Sequence, residues 1–390
     1  MKLHIAFHLP EGVGAFWQGG VSLYANLLGA LRLTHADAAD CWLAVPEGSP
    51  PPSPHLTALA QGVIYYSQPP HHSLAWAVDH AKHRALRADL VADRAFRAKQ
   101  INVLFCNAPL RRTNLPTLAL IPDLQHRQLP EFFSAAESRA RDETFLKTIA
   151  RATRVVAISD TVRADLEQFA PSYRDKVRVI PPEPVIAPEI YAQDPRAVTD
   201  KYGLPEKFFY LPNQLWQHKN HLLVVHALAQ LRARGISVNV VCTGSLGDYR
   251  STTYTGELLE TVSRLGVRAQ FILLGTVPRA DVYALHRQAI CVLNPSRFEG
   301  YGLGIAEARA IGKRVLVSDL PTHHELNAPC AEYFDPNAAE ELADKMARIW
   351  QTASPGPALD LEQNARVAQR ERVRHVGETL WRVASEIAAA

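Results

Sequence analysis

Cysteine is scarce and scattered in this chain. Its five thiols (Cys41, Cys106, Cys242, Cys291, Cys330) are odd in number and form no C-x-x-C. That spacing argues against a disulfide framework or a thiolate metal site and suits a reducing cytoplasm. Asp-x-Asp does not occur, and no His/Cys cluster has ligand spacing, so neither a bivalent metal nor another cofactor is expected. No window approaches the roughly 20 apolar residues needed to cross a bilayer. The opening "MKLHIAFHLPEGVGAF" is a short apolar stretch broken by His8, Pro10 and Glu11, which is not a signal peptide. A charge excess is missing as well: the formal net charge is +3, without a tract of consecutive Lys or Arg, so nucleic acid is not an expected partner. The expectation is a soluble, cytoplasmic protein that at most rests on the inner face of the cell membrane.

What is present is an ordinary globular composition on a chain of 390 residues, too long for a comfortable single core, so two domains are expected. Short apolar runs alternate with helical patterns: "KLHIAFHL", Cys41–Val45, Gly62–Tyr66, Val103–Cys106, "TLALIPD" and "RVVAIS". Such alternation predicts parallel sheets covered on both faces. "AISDTVRADLEQF" reads as a strand end followed by a helix with Ser159 or Asp160 as N-cap. "VIPPEPVIAPEIYAQDP" (Val179–Pro195) is proline-rich and aperiodic, the best linker candidate. The pattern then restarts with "FFYLPN", "SVNVVCTG", "AQFILLG" and "CVLNPS", each followed by a helical stretch. The predicted organisation is a Rossmann-like domain over 1–182, a linker over 183–198, a second Rossmann-like domain over 199–365, and a C-terminal helix over 366–390 that packs back toward the first. Ligands of such α/β folds sit at the carboxyl ends of strands.

The chemistry concentrates in "NPSRFEGYGLGIAEARAIGKRV". A buried strand should end in the turn "RFEGYGL", and "GIAEARAIG" should be a short helix. Free N–H groups at that helix start, around Gly302 to Gly304, suit a phosphate. A carboxylate beside a phosphate is repelled by it, so Glu299 and Glu307 should face neutral groups, and hydroxyls are what a carboxylate binds well without a cation. A ligand with phosphates in its middle and hydroxylated rings at both ends meets these demands, which describes a nucleotide sugar. The competing reading is a solvated surface pair.

Glu299 and Glu307 resemble the E-x7-E motif of retaining glycosyltransferases of the GT-B fold, family 4. The wider pattern is "PS-x-x-EG-x-GL-x-x-x-EA-x-A-x-G", with "GG" before the first helix, "YLPNQLWQHKN", "CTGS" and "FILLGTV" in the family's order. The resemblance implies two Rossmann-like domains facing each other across a cleft. It implies that Glu299 binds donor-sugar hydroxyls, Glu307 holds the ribose, and the backbone of Gly300, Tyr301, Gly302 and Leu303 touches sugar and diphosphate. Lys219 would neutralise the leaving diphosphate. Gly19 and Gly20 correspond to the N-terminal glycine loop near the donor, and Gly244 and Thr276 lie in segments that would read the base. Where the family often has an arginine six residues before the lysine, this chain has Asn213, which donates hydrogen bonds but adds no charge. His218 or Arg297 could compensate. Many relatives have a His-Asp pair where this chain has Pro122 and Asp123, with His126 three residues on, and either Asp123 or His126 is expected to face the acceptor.

The implied reaction is transfer of a hexose of mannose or glucose type, with retention, to a glycan or lipid-linked acceptor in cell-surface polysaccharide synthesis. Alternatives are a nucleotide-sugar epimerase or hydrolase of the same fold, or a catalytically silent binder of nucleotide or glycan. Ser73–Gln100 can form a helix with Lys82, Arg84, Arg87, Arg94, Arg97 and Lys99 beside Trp76, Leu86, Leu90 and Phe96, a possible peripheral membrane contact.

Overall fold

The computed structural model describes residues 2–9, 18–66, 90–107, 113–248, 251 and 253–389. The chain divides into two compact units, one comprising Met1–Val185 and Arg372–Ala390, the other Ile186–Glu371.

The first unit is built on a seven-stranded sheet in the order β3-β2-β1-β4-β5-β6-β7. Its strands are β1 (Leu3–His8), β2 (Ala39–Pro46), β3 (Gly62–Tyr66), β4 (Val103–Cys106), β5 (Thr117–Leu120), β6 (Arg154–Ala157) and β7 (Val177–Val179), all parallel. β4 reads as an unbroken apolar run because every residue in it is buried, the signature of a strand covered on both faces. Ser159 caps the helix Asp160–Phe169 by accepting from the Val162 N–H. Residues from the end of the chain belong to this unit: Trp381 stacks on His35 at 4.6 Å, and Gly377 lies against Ala30 and Thr34 of the helix Gln18–His35. Of the basic stretch Ser73–Gln100, only residues from 90 on are described, as the helix Leu90–Ala98. The membrane-contact reading therefore lies mostly outside the described residues. Among those residues no helix is long and apolar enough to cross a membrane.

The second unit has a six-stranded sheet in the order β10-β9-β8-β11-β12-β13. Its strands are β8 (Phe209–Leu211), β9 (Val240–Cys242), β10 (Phe271–Leu273), β11 (Cys291–Asn294), β12 (Val315–Ser318) and β13 (Ala331–Phe334), again all parallel. Its core joins β8, β9 and β11 to Leu223, Val224, Leu228 and Leu231 of the helix His221–Ala233 and to Leu342, Met346 and Ile349 of the helix Ala339–Thr352. The proline-rich stretch is structured rather than a bare connector. Pro188 and Pro195 occupy the first positions of the helices Pro188–Ala192 and Pro195–Lys201, where a missing N–H costs nothing. The buried Arg287 holds it to the second unit by donating to the carbonyls of Ile190 (2.9 Å) and Gln193 (2.5 Å) while pairing with Glu362.

Candidate functional site

In the second sheet the chain runs outward from β8 through β9 to β10, then returns to the other side of β8 with β11. The order reverses between β8 and β11, the point at which open α/β sheets form a crevice at the carboxyl ends of their strands. The segment after β8 (212–220) and the segment after β11 (295–302) border it. They are tied together by the Arg297 N–H donating to the His218 carbonyl at 2.8 Å and by Asn220, whose Nδ2 donates to the carbonyls of Pro295 (3.0 Å) and Pro336 (2.8 Å). Asn220 adopts the left-handed conformation (φ 60°), which its short amide tolerates better than most side chains.

This stitching delivers Lys219 to Glu299. Glu299 Oε1 accepts from Lys219 Nζ at 2.6 Å, from the Ser296 hydroxyl at 2.7 Å and from Asn294 Nδ2 at 3.2 Å. The Ser296 N–H in turn donates to Asn294 Oδ1. Burial would raise the Glu299 carboxyl's pKa, but Lys219, the neighbouring His323 and the hydroxyl of Ser296 outweigh it and hold the group below its ordinary value. Three donors thus converge on one oxygen, which fixes the carboxylate and points its charge. The expectation that Glu299 faces only neutral groups is corrected: a nearly buried carboxylate keeps its charge by pairing with a cation.

Beyond the turn, Gly302 (φ 89°) starts the helix Leu303–Ala310, and no side chain caps that end. The N–H groups of Leu303 and Gly304 have no acceptor within the helix. A Cβ on Gly302 would lie 3.2 Å from Leu326 and 3.3 Å from Ile305, and one on Gly304 would lie 3.2 Å from Pro212. Glycine at 304 lets the helix start approach the segment after β8, and glycine at 302 takes the left-handed turn that opens the helix. Gly300 and Tyr301, both buried, complete the turn.

Glu307 is buried in this helix and also faces cations. Its Oε1 accepts from Arg279 Nη2 at 2.5 Å, and its Oε2 lies 3.5 Å from His286 Nε2. Burial opposes its charge, but Arg279 and then His286 hold its pKa below the ordinary carboxylate value. The neutral surroundings expected for Glu307 are likewise corrected.

The structure brings further predicted residues to the same edge. Asn213 is buried behind the crevice, and its Nδ2 finds no acceptor among the described residues. A Cβ on Gly244 would lie 2.7 Å from the Asn213 carbonyl oxygen, and the Gly244 N–H donates to the Gly275 carbonyl at 2.9 Å. Thr276 follows and is exposed. His218, considered as a substitute cation, is buried.

In the first unit, Gly19 and Gly20 fall within the helix Gln18–His35 instead of preceding it; a first turn tolerates glycine because its N–H groups lack intrahelical acceptors anyway. Residues 10–17 of the glycine-rich stretch lie outside the described residues. Asp123 accepts from the Gln125 N–H at 3.0 Å, a local turn bond. His126 does not face outward: it is buried beside Phe133 and Phe145, with Nε2 2.8 Å from Asp142 Oδ1. Asp142 also takes a two-pronged bond from Arg127, and that bond holds its carboxyl below the ordinary value. The imidazole is thus held among apolar rings with one edge on a half-buried carboxylate.

Sequence reasoning passed over Arg279, His286 and His323. The signal for Arg279 was a cation at the first position of a helix, where the dipole disfavours it. His323 carried no pattern of its own. Its Nδ1 sits 2.7 Å from the Ser318 carbonyl, which only accepts, so Nδ1 bears the proton and Nε2 is a bare lone pair. Burial pushes its pKa down to about 4. Among the described residues no group of three or more His, Cys, Asp or Glu could hold a metal ion.

Two parallel-sheet α/β units, one with this crevice, define the GT-B class of glycosyltransferase fold. The match extends to solved structures: Anabaena Alr3699/HepE in complex with UDP and glucose superposes with a TM-score of 0.71 at 17% identity, over 99% of this chain and 100% of that one. Sucrose-phosphate synthase from Thermosynechococcus elongatus gives 0.68 at 15% identity over the whole of both chains. At such identities the likeness concerns the fold. Residues 196–368 match the family model described as glycosyl transferases group 1, a match that includes the segment carrying Glu299 and Glu307. The O-antigen chain mannosyltransferase RfbU of Salmonella typhimurium (strain LT2) is 27% identical over 149 residues, 37% of this chain and 39% of that protein. The aligned stretch thus spans about two-fifths of the curated relative's length.

Proposed function

We propose that the protein is a retaining glycosyltransferase that moves a hexose of mannose or glucose type from a nucleoside-diphosphate sugar to a glycan or lipid-linked acceptor, in cell-surface polysaccharide synthesis. The observation that carries this reading is the convergence of Lys219, Glu299 and an uncapped helix start on one crevice, with a second ionised glutamate on the same helix. Lys219 has three N–H donors and spends one on Glu299, so two remain for phosphate oxygens. The first-turn N–H groups of Leu303 and Gly304 add partial positive charge to the same anion. Glu299, held through Oε1, offers Oε2 to sugar hydroxyls, and Glu307 takes the ribose. The names of the relatives support a sugar of this kind: one is an O-antigen chain mannosyltransferase, and another was crystallised with UDP and glucose.

In the reaction the anomeric carbon–oxygen bond to the diphosphate breaks and a bond to the acceptor oxygen forms on the same face. The acceptor's hydroxyl proton passes to an oxygen of the departing phosphate. Positive charge grows on the sugar ring and negative charge on the phosphate. Prepositioned donors that meet the phosphate charge as it develops are the main source of acceleration. Lys219 and the helix start supply that charge without a metal ion, and Asp123 is the first unit's candidate on the acceptor side.

The test is thermal stabilisation of the full chain across a panel of nucleotide sugars with EDTA present, repeated with Glu307→Ala. One donor should stabilise the wild type selectively, and the variant should lose the shift. Turnover of that donor without any acceptor would favour an epimerase or hydrolase, and no shift with any donor would leave a silent glycan binder.

A further inference from the structure

Arg279 pairs with Glu307 from the solvent side, and its geometry leaves work undone. Its side chain is 41% exposed while that of Glu307 is 5% exposed, so the guanidinium stands between the carboxylate and solvent. Both of its bonds leave from a single nitrogen: Nη2 donates to Glu307 Oε1 at 2.5 Å and to the Tyr283 hydroxyl at 3.0 Å. The guanidinium carbon lies 4.9 Å from the centre of the Tyr283 ring, a cation–π contact that adds to the hold on the group. Among the described residues, Nη1 and Nε take no protein acceptor.

Neutralising a buried glutamate does not require this arrangement. A lysine would supply the charge, and the first position of the helix Arg279–Gln288 is a poor place for any cation because the helix dipole opposes it there. An arginine differs from a lysine in holding several donors in a rigid plane that can serve two acceptors at once. Here one nitrogen of that plane is spent on Glu307 and Tyr283, which leaves Nη1 and Nε on a side chain that is 41% exposed. The segment before it, from β10 through the exposed Thr276, forms part of the same carboxyl edge of the sheet as the crevice.

We propose that Arg279 binds the nucleoside half of the donor, bridging the Glu307 carboxylate to an oxygen of the ribose or base through Nη1 or Nε. This inference rests on the nucleotide-sugar reading of the site. It also assigns the specificity for a nucleoside to a cation far in sequence from Lys219, whose partner is the diphosphate. Glu307 and Arg279 then recognise the ligand together: the carboxylate accepts from ribose hydroxyls, and the guanidinium donates to the ligand's oxygens.

Calorimetric titration of the full chain with UDP, GDP, ADP and dTDP, and separately with inorganic pyrophosphate, tests this for the wild type, Arg279→Met and Arg279→Lys. The expected result is at least a tenfold loss of affinity for the preferred nucleoside diphosphate in both variants, with pyrophosphate affinity unchanged. Thermal unfolding in the absence of ligand should drop in Arg279→Met and recover in Arg279→Lys, because lysine restores the charge beside Glu307 but not the fork. Nucleotide affinity that is unchanged in Arg279→Met, or restored by lysine, would overturn the inference and leave Arg279 as a counter-ion only. A wild type that binds none of the four nucleotides would overturn the nucleotide-sugar reading itself, a failure distinct from the first.

Discussion

Lys219→Met isolates the pair on which the proposed site depends. The two side chains are 15% and 9% exposed, so removing the ammonium leaves a nearly buried carboxylate without its counter-charge. Breaking such a pair by removing one partner costs about 3–5 kcal/mol. Ser296 and Asn294 still donate to Glu299 in the variant, which puts the expected loss at the lower end, about 3 kcal/mol at pH 8. The loss should depend on pH with a definite sign. The folded-state pKa of Glu299 is depressed below 4.5, so in the wild type its contribution is full above that value and disappears as pH falls through the folded pKa. Without Lys219 that depression weakens and burial drives the pKa up, so the variant's deficit is greatest at pH 8 and shrinks toward pH 5 as the carboxyl takes a proton. Peptide-resolved hydrogen exchange over β8 and β11 in increasing urea measures the second unit by itself. Glu299→Gln and the double variant complete a cycle, and the double variant should be more stable than Lys219→Met. Costs that add to within about 0.5 kcal/mol, or a deficit that ignores pH, would show that the pair does not couple in solution and would sink the reasoning.

Glu299→Gln should separate binding from transfer: with its partner neutral, Lys219 is released to phosphate, so affinity for the nucleoside diphosphate holds or tightens while sugar transfer falls by about a hundredfold, comparable to losing one preorganised group; steady-state kinetics beside calorimetry reads both. Three buried histidines should weaken the fold in mild acid. Burial lowers His8 and His323 to about 4 and His221 to about 3, below the ordinary 6.5, so the unfolded chain binds more protons between these values and stability falls as pH drops through 6.5. Each should cost about 2 kcal/mol by pH 5, and a denaturation midpoint that is flat from pH 7 to 5 would contradict this. Gly244→Ala should destabilise the second unit by about 1–3 kcal/mol, because a Cβ would meet the Asn213 backbone and an L-residue resists φ 133°. A melting temperature matching the wild type would show that the segment after β8 yields freely.

The fold was largely legible because its strands are short, mostly apolar runs: "LHIAFH", "VLFC" and "CVLN" become β1, β4 and β11. Such runs follow from burial on both faces of a parallel sheet, a local consequence of a global layout. The helix after β6 was legible for a similarly local reason, since capping needs only residues three apart, and of the two candidates Ser159 and Asp160 the cap is Ser159. The boundary between the two units falls inside the proline-rich stretch, but its two short helices were not legible, because proline looks the same at a helix start as in a linker. At the site, the spacing of Glu299, Gly302 and Glu307 was readable, since one turn and one helix hold all three.

By itself, then, the sequence determined the alternation of strands and helices and the segment that supplies two glutamates and a helix start, all of which depend on residues close along the chain. Only the tertiary structure decided what those groups face. Lys219 reaches Glu299 across 80 positions of chain and Arg279 reaches Glu307 across 28. His126 is buried beside Phe133 and Phe145 and meets Asp142, 16 positions on, in the helix Ala135–Arg151. For the two glutamates the physical reason is the same: a carboxylate removed from water keeps its charge only beside a cation or a set of donors. Which cation or donor that is depends on how the sheet brings separate loops to one edge.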